Sequence, residues 1–316
     1  MLARKPSKGD RRWPSSHQAH LQKPEPPRGE GGVIYSFLSA LTGLGYVDGQ
    51  SVSLEFRFAE YVLERLPALA AELVATQPDV LWTWTSGGAL AATAATSTIP
   101  VVIAPASEAI MARIVADFAR PNGNVTGLTN TSRVLQEKCL QLLKEAVPRI
   151  RRLAFLLNPL NPAWNRHPGV LREAAESLGL ELIRVEARGV SDLDQAFASL
   201  TALGADALFV VNDNTLVSAP VLSRMLELIA SYGMPAISDY ARLAKAGGLL
   251  SVSTNDPAIA RQGAFYVHRI IQGARPGDLP VQQPAEFPII LNLKAAKALG
   301  IEIPSSLLAR ADEVIE

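Results

Sequence analysis

The 316-residue sequence predicts an α/β protein built from two Rossmann-like lobes with parallel sheets, hinged, with the first strand of the N-terminal lobe missing. Three observations carry this. From Gly31 onward, segments of helical period alternate with short apolar runs without a break. The runs read as strands, such as "DVLWTWT" (79–85) and "DALFVVND" (206–213), lack polar alternation, which suits strands buried on both faces. The order of segments in the first half recurs in the second.

Residues 1–32 are basic and rich in Pro, Ser and Gly, with no apolar strand and no continuous hydrophobic stretch of an export signal, and read as a disordered or aberrant tail. His17 and His20 therefore have no scaffold that would make them ligands. The first lobe then reads helix 33–46, strand 51–58, helix 65–77, strand 79–85, helix 88–97, strand 99–105, helix 109–119 and strand 124–130. The second reads strand 152–158, helix 168–180, strand 181–187, helix 192–204, strand 206–213, helix 219–233, strand 234–239, short helix 240–247 and strand 248–253. "RLAFLLN" (152–158) has no counterpart ahead of helix 33–46, although the first strand is central in sheets of flavodoxin-like order. After it come helix 257–273, a proline-rich connection 274–287, strand 288–293, helix 294–300 and a tail 301–316. Sharing this late material divides the chain into a first lobe of 33–127 plus 254–284 and a second of 128–253 plus 285–316. Several crossings then make a hinge with a cleft between the lobes.

Thirty Lys plus Arg balance thirty Asp plus Glu, so no basic field points to nucleic acid. No run of 18 apolar residues suggests a membrane span. The one cysteine, Cys139, shares a helical face with Leu135, Leu142 and Leu143 and reads as core. Phosphate-loop, dinucleotide, nucleophile-elbow and zinc-protease motifs are absent, and no cofactor, metal site or catalytic residue is expected. His167, before a proline, and His268, on an amphipathic helix, read as structural.

What remains are polar residues at the carboxyl ends of strands, where open α/β sheets bind ligands. They are Thr85, Ser86 and Gly87 after the second strand of the first lobe, Ser107 and Glu108 after the third, then Asp213 with Asn214, Asp239, and Ser253 with Thr254 in the second lobe. Ser86 is placed to cap the helix that follows, whose free N–H groups and dipole suit an anion. Singly, each is an ordinary cap or turn residue. Together they suit a small zwitterion, its carboxylate on the hydroxyls and helix amides and its ammonium on Asp213 or Asp239. Trp82 and Trp84 read as sheet packing.

The stretches "LTGLGYVDGQSVSLEFRFAE", "RLPALAAELVATQPDVL", "RPNGNVTGLTN" and "LPVQQPAEFPIILNLKAAKALGIEIPSSLLARADEVIE" resemble the ABC transporter substrate-binding protein family of the tryptophan/tyrosine-import type. The resemblance covers 33–316 and implies a type I periplasmic-binding-protein fold with three crossovers. It implies a monomer that closes on a small amino-acid-like ligand and presents it to a membrane permease, without nucleic acid. Thr85 and Ser86 match the family's small hydroxyl-bearing turn. Glu108-Ala109 stands where the family usually has Asp-Pro, Val252-Ser253 where it has an aromatic-glycine pair, and Asp213-Asn214-Thr215 where it has Asp-Pro-Leu. The resemblance implies a periplasmic location, whereas the absence of an export signal implies a cytoplasmic one if Met1 is the true start. Two other readings of the fold remain: a sugar-repressor-like regulator, opposed by Pro24, Pro26 and Pro27 where a DNA-binding head would stand, and a cleft enzyme, opposed by the lack of a nucleophile–base or metal constellation.

Overall fold

The computed structural model describes residues 2–4, 32–60, 62–130, 133–161, 168–213, 215–284 and 287–316. His17, His20, His167 and Asn214 lie outside the described residues. The chain divides into two compact units, Met1–Asn130 with Asp256–Pro284, and Thr131–Asn255 with Ala285–Glu316, so that it passes between them at 130/131, 255/256 and 284/285.

The first unit carries β1 (Leu2–Arg4), α1 (Val33–Gly43), β2 (Ser53–Glu55), α2 (Leu66–Ala75), β3 (Val80–Thr83), α3 (Ser86–Ala95), β4 (Val101–Ala106), α4 (Glu108–Ile114) and β5 (Val125–Thr129). Its sheet runs β2-β1-β3-β4-β5. All six residues of β4 are buried, as its unbroken apolar run requires of a central parallel strand. One face of this sheet is covered by α1 together with α10 (Asp256–Ile271), which returns after the second crossing. Phe37 and Leu41 of α1 and Ile259, Ala260, Ala264 and Val267 of α10 share a core with Val80, Trp82 and Val102. The spacing of the α10 residues by three and four puts them on one stripe of the helix.

The sequence assigns no strand to residues 1–32, yet the central slot is filled. Leu2–Arg4 pairs with both β2 and β3, Leu2 opposite Glu55 and Leu81, and runs antiparallel to each. Strands β2 and β3 both present backbone N–H and C=O groups toward the slot, and a three-residue segment can satisfy them without the apolar run that announces a buried strand. Helix α4 is shorter than predicted, ending at Ile114 because Val115 is extended (φ −115°, ψ 143°). Beyond it Asp117 accepts the Ala119 amide on its own carboxylate at 2.8 Å, a local turn that competes with continued helix.

The second unit holds α5 (Arg133–Ala146), β6 (Arg152–Leu157), α6 (Pro168–Ser177), β7 (Glu181–Glu186), α7 (Val190–Ala202), β8 (Ala207–Val210), α8 (Ala219–Ser231), β9 (Ala236–Ser238), α9 (Ala241–Ala246) and β10 (Leu250–Val252), then β11 (Ile289–Asn292), α11 (Leu293–Ala298), α12 (Ser305–Leu308) and β12 (Glu313–Ile315). Its sheet order, β12-β11-β10-β9-β8-β6-β7, contains the same 2-1-3-4-5 arrangement as the first unit, extended by two strands. This sheet is parallel apart from one pair: β11 is antiparallel to β10, with Val252 opposite Ile289 and Leu250 opposite Leu291, as β1 is antiparallel to its two neighbours in the first unit. The chain leaves this unit just after β10 and re-enters just before β11, so the second strand starts beside the end of the first. The predicted tail 301–316 contains α12 and β12, the latter parallel to β11. An exposed edge strand of sequence Glu-Val-Ile has too short a pattern to be recognised.

Cys139 lies in the core with Leu135, Leu142 and Leu143, all at most 2% exposed, as the helical spacing predicts. Its thiol donates to the Val252 carbonyl at 3.8 Å. Burial pushes it well above the usual thiol range, and the Asp239 carboxylate adds to the shift.

Candidate functional site

In the first unit the polar turns after β3 and β4 are joined to each other. Thr85 sits at φ +90°, ψ 151°, a region nearly closed to a β-branched residue. Three hydrogen bonds hold it there. Its amide donates to the Pro105 carbonyl (2.9 Å), its carbonyl accepts from Ala89 N–H (2.9 Å), and its hydroxyl accepts from Gly88 N–H (3.1 Å). Thr85, not Ser86, is therefore the N-cap of α3. Ser86 is the first helical residue, and its hydroxyl accepts the Ser107 amide at 3.0 Å, tying the two turns together. Ser107 in turn caps α4, its Oγ accepting from Ile110 N–H at 3.4 Å.

Gly87 faces the ends of leucine side chains. A Cβ there would lie 2.9 Å from Leu66 Cδ1 on α2, so its Cα faces a helix while only its backbone is available to a ligand. The amides of Ser86 and Gly87, on half-buried residues, have no acceptor among the described residues. They are the orphan donors of a ten-residue helix and can accept an anion. Glu108 opens α4 and is engaged differently, its Oε1 accepting from Gln283 Nε2 at 3.0 Å. Trp82 is buried in the core against Phe37 (ring centroids 4.2 Å apart), and Trp84 packs half-buried against the same cluster.

In the second unit the carboxyl ends of β6, β8, β9 and β10 carry the remaining candidates. Asp213 is 2% exposed, and its carboxylate accepts from Thr215 N–H (2.9 Å), Leu216 N–H (3.0 Å), Asn158 Nδ2 (3.4 Å) and Asn161 Nδ2 (2.6 Å). Three of these bonds fall on Oδ1 and one on Oδ2, so the carboxylate fixes this loop while Oδ2 keeps an acceptor position for a further donor. Asp239, also 2% exposed, accepts the Asn212 amide at 2.6 Å. Ser253 is 5% exposed and donates its amide to the Pro288 carbonyl at 3.2 Å.

Two residues that the sequence reading left out are Asn158 and Asn161. They follow β6 and hold Asp213, and Asn158 also accepts the Leu160 amide at 3.0 Å. Asparagine after an apolar run, at the carboxyl end of a strand, is the sequence signal for them. His268 on α10 meets the Tyr46 hydroxyl at 2.9 Å through Nδ1 and is a surface packing residue. Among the described residues no group of three or more His, Cys, Asp or Glu is placed to hold a metal ion, and no helix is long and apolar enough to cross a membrane.

Residues 32–315 match the family described as ABC transporter substrate binding protein. A tyrosine-binding protein of Clostridioides difficile is 24% identical over 267 residues, covering 84% of this chain and 76% of its own. Among solved structures, a conserved domain protein of Vibrio cholerae O1 biovar El Tor is 27% identical, with a TM-score of 0.83 over 89% of this chain and 94% of its own. An ABC domain of Streptococcus pneumoniae in complex with L-Trp also gives 0.83, at 24% identity over 90% of this chain and 94% of its own. The fold is that of the type I periplasmic binding proteins. With the match running from the start of the first helix to the last strand, the chain belongs to the ABC transporter substrate-binding protein family.

Proposed function

We propose that the protein is the solute-binding component of an ABC importer, that it captures an amino acid outside the cytoplasm, and that it delivers the ligand to a membrane permease without covalent chemistry. The observation that carries this reading is the strained turn at Thr85, capped by its own hydroxyl, which leaves the Ser86 and Gly87 amides free for a carboxylate. Backbone strain in a β-branched residue persists where surrounding bonds over-determine it, and such outliers concentrate at ligand sites. The Ser107 loop is tied to the same turn. On the second unit, the ammonium is met by a strand-end carboxylate, Asp213 or Asp239, with the Ser253 hydroxyl as a further polar group. Support for an amino acid comes from the names of the relatives, one a tyrosine-binding protein and one solved with L-Trp.

The test is thermal unfolding and calorimetry against L-tryptophan, L-tyrosine, L-phenylalanine, aliphatic L-amino acids and the carboxamide of each. A ligand at a hundred times its Kd stabilises the protein by about 2.7 kcal/mol. At least one free amino acid is expected to raise the melting temperature, and its carboxamide, lacking the anion, to fail. If no member of the panel binds, or if amide and acid bind alike, the reading is wrong.

A further inference from the structure

The first and third crossovers leave the first unit side by side. Next to β5, the Gln282 amide donates to the Gly127 carbonyl (3.0 Å) and the Gln282 carbonyl accepts from the Thr129 amide (2.9 Å), with Leu128 and Gln282 forming a parallel bridge. One residue further, Gln283 Nε2 donates to Glu108 Oε1 at 3.0 Å. Glu108 directly follows Ser107, whose amide is bound to the Ser86 hydroxyl. A continuous path of hydrogen bonds and short chain segments therefore runs from the turn at Ser86, through Ser107 and Glu108, to Gln283, one residue before this unit ends at Pro284.

We infer that the Glu108–Gln283 hydrogen bond is a latch tying the third crossover to the Ser86–Ser107 turns, so that Glu108 is a positioning residue for the crossover and not a group that touches the ligand. The inference rests on the solute-binding reading. Its geometry has two supports. Gln283 is exposed and Glu108 half-buried, so neither needs the other to escape burial without a partner, yet together they fix the crossover to the site loop. Thr129, on the strand to which the crossover is paired, is fully buried, and its hydroxyl has no hydrogen-bond partner among the described residues. A buried hydroxyl left unpaired is unfavourable, so the pairing of β5 with the crossover carries a local cost at Thr129.

Hydrogen exchange and binding are measured on Glu108→Ala, Gln283→Ala, the double variant and Glu108→Gln, which keeps an acceptor oxygen. Without ligand, the Gln282 and Thr129 amides are expected to exchange about fivefold faster in either alanine variant, no faster again in the double variant, and at the wild-type rate in Glu108→Gln. With L-tryptophan or L-tyrosine as probe, both alanine variants are expected to lose affinity by the same factor, about fivefold, because a loosened crossover must be ordered on binding. Unchanged exchange overturns the latch whether or not a ligand is found. Lost affinity in Glu108→Gln with normal affinity in Gln283→Ala also overturns it, by making Glu108 a ligand group. If the wild-type protein binds neither probe, the affinity arm is run with whichever amino acid of the wider panel binds; if none does, the solute-binding reading fails, and the exchange rates alone decide the latch.

Discussion

Thr85 shows how one residue serves the fold and the site at once. Its hydroxyl caps α3 while its backbone sits where glycine is at ease. Thr85→Ala keeps the strain and removes the cap, and is expected to destabilise the protein by about 1 kcal/mol in urea unfolding. Thr85→Gly loses the cap but relieves the strain, and should be the milder of the two. Asp213 is a carboxylate that holds its own loop through four donors. Asp213→Ala strands the Thr215 and Leu216 amides and the Asn161 side chain, and an expected loss of about 3 kcal/mol would separate this role from ligand contact. At high pH, two buried groups act in the same direction. The Cys139 thiol is raised well above its ordinary 9.0, and burial lifts the Tyr266 phenol, which donates to the Pro280 carbonyl, from 10.0 to about 12. Both values are higher in the folded chain than in the unfolded one. Their stabilising effect is therefore complete below the unfolded values and is lost as pH rises through the folded ones, from about pH 9 for the thiol and between pH 10 and about 12 for the phenol. Melting curves from pH 8 to 12 should decline in that window, and Tyr266→Phe should flatten the upper part.

Among the elements, α10 packs closely on the sheet through a glycine. A Cβ on Gly263 would lie 2.7 Å from Trp82 Nε1 and 2.8 Å from Ala104 Cβ, so Gly263→Ala must push the helix off β3 and β4. Such overpacking costs about 1–3 kcal/mol, measurable as a lowered urea midpoint with an unchanged slope. The periodicity of α10 and of α5, and the unbroken apolar runs of β4 and β8, were legible because a long helix stripe or a doubly buried strand imposes its pattern on many residues at once. What escaped was set by pairing or by loop chemistry. The strand at Leu2–Arg4 and the strand at Glu313–Ile315 are three residues each and carry no pattern of their own. The reversal of β11 follows from where the chain re-enters its unit. At the site, the strand ends were found from the sequence, but the choice of Thr85 over Ser86 as cap turns on a positive φ that no residue type announced. The hold on Asp213 depends on Asn158 and Asn161, more than fifty residues earlier, and no local reading brings them together.

For the whole molecule, the repeat of one strand order in two units gives two bodies with cores of their own. Domains with separate cores can unfold separately, and a ligand stabilises the folded state it binds. In calorimetry, the ligand-free protein is expected to show a broadened or split transition, and a saturating amino acid to move at least part of it to higher temperature. A single sharp transition without ligand would count against two independently unfolding units. The slot filled by Leu2–Arg4 also has a mechanical side. Flanked on both sides and aligned with the sheet, this strand would resist a pull along its length by shearing both ladders together instead of peeling one bond at a time. A tether fixed ahead of Leu2 would then read, as a single rupture, the strength with which the sheet grips its centre.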